Sequence, residues 1–418
     1  MAGNIFIKNI REILVTDVPA DGPLRGVAMN RPGRFPDAWI MIRDGRIERI
    51  GNMKDFPGHK DTEEFRQIDA SGKFVIPAFC DSHTHIVYAG SREQEFVDKL
   101  SGLSYEEIAL RGGGILNSVA LLRRTPEEEL YRQAYLRVRE VMRQGTGSLE
   151  IKSGYGLTPE DELKMLRVIR RLKETTPLSI KATFLGAHAI PEEYRNNREE
   201  YIRILLFEMI PAVASEGLAD FIDVFCDTGF FTPQETERIL MTGIKYGLRP
   251  KIHANELDNS GGVQIGVKYD ALTVDHLERI DREELDALEA SETIATVLPG
   301  ASFFLSLPDP PVREMIRRNI PVALASDYNP GSSPSGNMKL MMSLACIRWK
   351  MLPAEALTAA TINGAWAMDV AGETGSIEPG KRADMIITKP MPSFEFFPYA
   401  FGSDLIDMVI LGGEIVPG

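Results

Sequence analysis

The stretch Phe74–His85, FVIPAFCDSHTH, is an apolar run that ends in two histidines one residue apart. Seven similar short apolar runs follow it along the chain, and amphipathic helical patterns lie between most of them. This alternation is typical of repeated βα units that build a parallel sheet. The eight predicted strands are FVIPAFCDSH, GSLEIKS, LSIKATFLGA, DFIDVF, RPKIHA, ALTVDH, TIATVLP and PVALASD.

The number of units favours a closed barrel. Eight βα units over residues 75–372, without a Gly-x-Gly-x-x-Gly after the first strand, fit a (β/α)8 barrel better than an open doubly wound sheet. The segments PEDELKMLRVIRRLKE and TPQETERILMTGIKYG have the helical period expected between such strands. We therefore predict an α/β fold, a (β/α)8 TIM-like barrel.

Both ends of the chain have a different pattern. They read as short strands joined by turns, and Asp44-Gly45 between two alternating apolar runs is a strong hairpin signal. We predict that residues 1–74 plus 373–418 form one small β-sandwich domain and that residues 75–372 form the barrel.

Composition excludes several classes of protein. The chain has 418 residues, 44% hydrophobic and 26% charged, which is typical of a soluble globular protein. A formal net charge of −13 argues against a nucleic-acid partner. No apolar run approaches the ~18 residues of a membrane helix, and the start lacks a signal-peptide pattern, so we expect no membrane association and a cytoplasmic location. The three cysteines are too scattered for a disulfide framework.

Polar residues gather at the predicted carboxyl ends of the strands, where barrel enzymes have their active sites. A single histidine there is more often structural, but five of the six histidines fall at these ends. Asp327 ends strand eight in the same way. Together they predict a metal or catalytic centre. The five histidines are His83, His85, His188, His253 and His276.

The His-x-His pair has a simple geometric meaning. Side chains alternate along a strand, so His83 and His85 project to the same side and can bind one ion. His253 and Asp327 would complete a four-ligand site for a divalent transition metal. A bridging lysine for a second ion is missing at the end of strand four, and Lys152 on strand two is more simply a buried, paired lysine, so we expect one metal.

Further candidates lie in the loops after the strands. Glu256, three residues after His253, is placed to act as a general acid or base. Arg92 follows strand one and could bind a carboxylate with two hydrogen bonds. Tyr155 stands between two glycines after strand two, and the run Arg111–Ile115, RGGGI, has the composition of a mobile loop.

The segment after Asp327, YNPGSSPSGN, predicts a turn and then a helix start, with Ser333 as N-cap and Pro334 as first helical residue. Free backbone N–H groups at a helix start can bind an anion. A simple cap without any ligand explains the same pattern.

The motifs IPAFCDSHTH, ASDYNPGSS and GSIEPGKRADMII, with single histidines ending strands five and six, resemble the amidohydrolase superfamily nearly end to end. Within it, SREQEF, IKSGYGL, TFLGAHAIPEEY and DVFCD are similar to the branch that hydrolyses the cyclic amide of 4-imidazolone-5-propanoate to N-formimidoyl-L-glutamate in histidine degradation. The resemblance implies a metal-dependent hydrolase acting on this small molecule, with one zinc or iron ion.

The resemblance also implies roles for individual residues. The resemblance implies that the metal is held by His83, His85, His253 and Asp327. It implies that the substrate is bound by Arg92, Tyr105, Tyr155 and His188. It implies that the product is held by Asn329, Gly331 and Ser332. Glu256 matches a position that is glutamate in some members and glutamine in others, so His276 stays a candidate for the same proton transfer.

Two alternatives remain open. A heterocycle deaminase of the same superfamily also uses His-x-His, His-x-x-Glu and a final aspartate, but it would release ammonia. A non-catalytic binding protein on the same scaffold would have lost a ligand or an acid–base residue, and none is lost here. We further expect a homodimer.

Overall fold

Strands from both ends of the chain meet in one mixed sheet. The computed structural model describes residues 4–16, 18–19, 21–56, 58, 62–103 and 113–417. The strands from the amino-terminal part are β1 Ile5–Leu14, β2 Arg34–Arg43, β3 Arg46–Asn52, β4 Arg66–Asp69 and β5 Phe74–Pro77. Those from the carboxyl-terminal part are β14 Met385–Thr388, β15 Ile406–Leu411 and β16 Glu414–Ile415.

The order in this sheet is β16-β15-β14-β5-β1-β2-β3, with β4 also paired to β1. The hairpin β2–β3 turns at Asp44-Gly45 as predicted, and both residues have positive φ, 49° and 78°, as a tight primed turn requires. Strand β14 pairs antiparallel with β5, which joins the two ends of the chain. Isoleucines from these strands form a hydrophobic core separate from that of the barrel.

A second sheet of eight parallel strands contains all eight predicted βα strands. Neighbours in the sheet are neighbours in sequence from β6 to β13. The ring closes after β13, where Asp327 N donates to His83 O at 2.9 Å and Thr84 forms a parallel bridge with Tyr328. The strands are β6 Phe79–Thr84, β7 Thr146–Lys152, β8 Ser179–Ala187, β9 Phe221–Cys226, β10 Arg249–Ala254, β11 Thr273–His276, β12 Ile294–Val297 and β13 Val322–Leu324.

Helices surround this ring. Thr158 and Thr232 cap the two helices predicted above, each with proline at the helix start. The described α-helices are Glu93–Leu100, Ile115–Arg124, Glu127–Arg143, Pro159–Thr175, Arg198–Ile204, Ile210–Ser215, Pro233–Lys245, Gly262–Lys268, Arg282–Glu289, Pro299–Phe304, Val312–Arg317, Met338–Trp349, Pro353–Ala360, Ile362–Ala367 and Phe396–Tyr399. Leu205–Met209 is a π-helical turn, and Gly26–Asn30, Met53–Asp55 and Glu192–Tyr194 are short 3-10 turns. None of the described helices is long and apolar enough to cross a membrane.

Two local predictions need correction. The first predicted strand divides at Ala78: Phe74–Pro77 pairs in the terminal sheet, and the barrel strand begins at Phe79. The helix predicted to begin at Pro334 begins instead at Met338, with Asn337 as its N-cap. The domain boundaries at residues 74/75 and 372/373 remain predictions.

Candidate metal centre and substrate pocket

Three imidazole nitrogens and one carboxylate converge at the carboxyl end of the barrel. His85 Nε2 lies 3.3 Å from His83 Nε2 and 3.4 Å from His253 Nε2. Asp327 Oδ1 lies 3.6 Å from His83 Nε2 and 3.5 Å from His85 Nε2. All four side chains are buried.

The backbone explains this convergence. His83 is on β6 and His85 follows it by two residues, so both project to the same side. His253 is on β10, across the ring. Asp327 lies three residues past β13 with a φ of 53°, and Ser332 Oγ donates to its Oδ2 at 3.0 Å.

Buried carboxylates orient two of the imidazoles. Asp275 Oδ2 lies 2.6 Å from His83 Nδ1, and Asp223 Oδ2 lies 2.9 Å from His253 Nδ1. The hydrogen bond with Asp275 holds the ring proton of His83 on Nδ1 and leaves its Nε2 lone pair directed at the centre, and the charge of Asp223 favours the same tautomer in His253. Burial also lowers the pKa of His83, His85 and His253, which keeps the rings neutral.

This donor set fits a divalent metal ion. Neutral imidazole and carboxylate are ligands that such ions accept. Ligand atoms of His83, His85 and His253 lie within 4.8 Å of one another, and so do those of His83, His276 and Asp327. Burial raises the pKa of Asp327 to about 6, which means that its ionised form is costly here without a nearby cation.

Beneath the centre lies a buried lysine. Lys152 Nζ is 2.7 Å from Glu150 Oε1, 2.8 Å from Asp223 Oδ2 and 3.5 Å from Asp275 Oδ2, and all four side chains are fully buried. Burial opposes the charged form, but these carboxylates outweigh it and raise the pKa of Lys152. The lysine is therefore an ammonium ion that pairs with the carboxylates behind the histidines, as the simpler sequence interpretation predicts.

Glu256 and His276 form an acid–base pair beside the centre. Glu256 Oε2 lies 3.7 Å from His276 Nε2, and Glu278 Oε2 lies 3.6 Å from His276 Nδ1. Burial raises the pKa of Glu256 to about 7. Burial opposes the imidazolium, but Glu256, Glu278 and Asp327 outweigh it and raise the pKa of His276 to about 10. Between about pH 7 and pH 10 the pair therefore carries one proton, and it sits on His276.

A cavity of 690 Å³ opens over the centre. Most of the residues singled out from the sequence line it together, although they come from loops far apart in the chain. These are His85, Arg92, Tyr155, His188, His253, Glu256, His276, Asp327, Asn329, Gly331 and Ser332. His83 lies in the floor against His253, with ring centroids 4.4 Å apart.

The backbone N–H groups after Asp327 are not free. Asn329 Oδ1 accepts from Gly331 N at 2.7 Å and from Ser332 N at 2.8 Å. The helix-start anion site predicted at Ser333 is not formed, because the helix begins only at Met338. Any contact these residues make with a ligand uses side-chain atoms or the remaining backbone.

Other candidates lie outside the described residues. Tyr105, His59 and part of the glycine run, Arg111 and Gly112, belong to this group.

Several residues at the site were not found from the sequence. Asp223 and Asp275 are isolated aspartates inside apolar strands, and a lone carboxylate in such a run was the available signal. Lys99 lines the cavity seven residues after Arg92. Glu95 binds Arg92 from the first turn of the following helix. The two residues are three positions apart, a spacing at which an ion pair could have been predicted.

The chain is similar over nearly its whole length to proteins named imidazolonepropionase. It is 53% identical to the imidazolonepropionase of Flavobacterium johnsoniae over 98% of this chain and 99% of that protein. It is 40% identical to that of Geobacillus kaustophilus over 99% of this chain and 97% of that protein. The chain belongs to the imidazolonepropionase family. Residues 305–416 also match the model of the amidohydrolase family.

Solved structures extend the likeness in fold beyond the imidazolonepropionase family. Escherichia coli guanine deaminase superposes with a TM-score of 0.74 at 14% identity, over 99% of both chains. An amidohydrolase from a Sargasso Sea sample superposes with a TM-score of 0.70 at 18% identity, over 99% of this chain and 93% of the other. At such identities the likeness concerns the barrel and its second sheet alone.

Proposed function

We propose that the chain hydrolyses the cyclic amide of 4-imidazolone-5-propanoate to N-formimidoyl-L-glutamate, a step of histidine degradation. The observation that carries the proposal is the convergence of three imidazoles and one carboxylate at the floor of a cavity whose wall includes Arg92. Membership of the imidazolonepropionase family supports the same reaction.

One divalent ion, zinc or iron, would be held by His83, His85, His253 and Asp327. When bound it would supply Lewis-acid activation of water and of the ring carbonyl. The donor set suits zinc and iron alike. Lys152 occupies the carboxylate-rich space behind the histidines as an ammonium ion, which supports a single metal ion in the site.

Binding and orientation come from the cavity wall. Arg92 holds the propionate carboxylate, and Tyr155 and His188 contact the imidazolone ring. His188 is stacked on His85, with ring centroids 5.2 Å apart, so a ring that contacts His188 is close to the centre. Tyr105 is proposed as a substrate-binding residue only because its position matches one that binds substrate in the family. The product is held by Asn329, Gly331 and Ser332.

Proton transfer falls to Glu256 and His276. Glu256 accepts a proton from the attacking water, because above about pH 7 its carboxylate is ionised beside a protonated imidazole. The bond from the carbonyl carbon to the ring nitrogen then breaks, and His276 or the protonated Glu256 returns a proton to that nitrogen. The ring opens and no ammonia leaves.

We further propose that the protein is a cytoplasmic enzyme without a nucleic-acid or membrane partner and that it forms a homodimer. Size-exclusion chromatography with light scattering tests the oligomeric state.

Freshly prepared imidazolone propionate loses its ultraviolet absorbance when it is hydrolysed. We expect the metal-loaded protein to catalyse this loss and Asp327→Ala to lose bound metal and activity together. A variant that kept both would remove Asp327 from the ligand set. Arg92→Ala should mainly raise KM, and an unchanged KM would remove Arg92 from the substrate site.

A further inference from the structure

We propose that Glu95 is a positioning residue for substrate recognition, which holds one edge of the Arg92 guanidinium and leaves the opposite edge to the substrate's carboxylate. The inference rests on the proposed function, in which Arg92 binds the propionate group. Glu95 acts through Arg92 and has no contact with the metal ligands among the described residues.

The hydrogen bonds define which edge is used. Arg92 Nε donates to Glu95 Oε1 at 3.0 Å, and Arg92 Nη2 donates to Glu95 Oε2 at 2.6 Å. This two-bond contact occupies the side of the guanidinium formed by Nε and Nη2. A second carboxylate can then be bound with two bonds only at the end formed by Nη1 and Nη2.

The local sequence sets this geometry. Arg92 stands immediately before the helix Glu93–Leu100, and Glu95 is its third residue. Residues three apart on a helical turn face each other, so the carboxylate reaches back to the guanidinium. Both side chains are largely buried, with exposed fractions of 14% and 10%. A guanidinium in such surroundings needs a partner to stay in place.

Gly331 lies next to Nη1, the guanidinium nitrogen of Arg92 that Glu95 does not bind. A Cβ atom at this position would lie 2.1 Å from Arg92 Nη1, so only glycine lets the guanidinium reach this place. In the described part of the chain, Nη1 donates no hydrogen bond. Arg92 and Gly331 both line the cavity, and Nη1 is the guanidinium atom nearest to Gly331.

Glu95 also connects this arginine to a second part of the wall. Its Oε1 accepts from Gly114 N at 3.0 Å, just before the helix Ile115–Arg124. Ile115 lines the cavity too. Although burial opposes ionisation, the bonds from Arg92 and Gly114 lower the pKa of Glu95, so it is a carboxylate at neutral pH.

Steady-state kinetics of metal-loaded variants test the inference. We expect Glu95→Ala to raise KM for imidazolone propionate about 10- to 100-fold, the effect of losing charge-assisted hydrogen bonds, with kcat within about threefold of the parent. Glu95→Gln keeps the oxygen that accepts from Nε and Gly114, so its KM should lie between the two. The matched control is Glu93→Ala, in the same helical turn, since Glu93 is exposed and contacts Ser91; its KM should not change.

Two further measurements separate positioning from general damage. With a substrate analogue in which a neutral carboxamide replaces the carboxylate, Glu95→Ala should leave KM unchanged. The double variant Arg92→Ala/Glu95→Ala should have the KM of Arg92→Ala alone.

An unchanged or lowered KM in Glu95→Ala would overturn the inference, as would an equal rise in KM for the carboxamide analogue. If the parent protein itself does not hydrolyse imidazolone propionate, the proposed function fails instead.

Discussion

Asp275 Oδ2 lies 2.6 Å from His83 Nδ1, and both side chains are fully buried. The contact places the imidazole proton on Nδ1 and leaves Nε2 as the atom that can bind a metal. A histidine ligand without such a partner can rotate or change tautomer. The centre therefore depends on residues one layer behind the proposed ligands.

We expect Asp275→Asn to weaken zinc binding about 10- to 100-fold, because the amide cannot stabilise the Nδ1 proton as a carboxylate does. Competition with a zinc chelator of known affinity measures the change. Asp270→Asn is the control, since Asp270 is exposed and its positive φ of 51° suits asparagine. Equal affinities for Asp275→Asn and the parent would show that this carboxylate does not support the metal site.

Lys152 makes a different prediction, about stability. Its removal leaves Asp223 and Asp275 without their ammonium partner in the barrel interior, whereas Glu150 keeps its ion pair with Lys251. We expect Lys152→Met to lower the free energy of unfolding by about 3–5 kcal/mol, measured by urea denaturation. Lys245→Met, at an exposed position, should change it by less than about 0.5 kcal/mol. A Lys152→Met protein as stable as the parent contradicts the pairing.

Glu256 is expected to act in proton transfer and not in metal binding. Glu256→Gln should lower kcat about 10²- to 10⁴-fold while bound metal, measured by atomic emission, stays at the parental level. Glu283→Gln, at an exposed position, serves as the control. A Glu256→Gln variant with the parental kcat would show that His276, and not Glu256, transfers the proton.

The pH dependence of kcat/KM follows from the same residue. Burial raises the pKa of Glu256 to about 7, so the carboxylate takes up a proton as the pH falls through that range. A protonated Glu256 cannot accept a proton from water, and kcat/KM should therefore fall on the acid side of about pH 7. The fall should be absent from the residual activity of Glu256→Gln. A fall centred near the ordinary glutamate pKa of about 4.3 would contradict the account.

Much of the fold followed from the sequence because its signals are periodic. Alternation predicted that His83 and His85 project to one side, and the rule that barrel strands end at one face predicted that His253 and Asp327 lie at the same cavity. The hairpin at Asp44-Gly45 followed from turn chemistry.

The rest depended on contacts that periodicity does not report. Apolar residues continue across Ala78, so the pattern could not reveal that the chain passes from one sheet to the other. Ser333-Pro334 has the composition of a helix start, but Asn329 takes up the neighbouring N–H groups. Asp223 and Asp275 were missed because their partners are 30 and 192 residues away in the chain.

The most direct test of the central claim is to follow the fate of oxygen and nitrogen in one turnover assay. Metal-loaded protein is mixed with imidazolone propionate in ¹⁸O-labelled water, the product is identified by mass spectrometry, and ammonia is measured in the same sample. Hydrolysis of the ring amide predicts N-formimidoyl-L-glutamate with one labelled oxygen in its new carboxylate and no ammonia. Release of ammonia, or recovery of the intact ring, would contradict it.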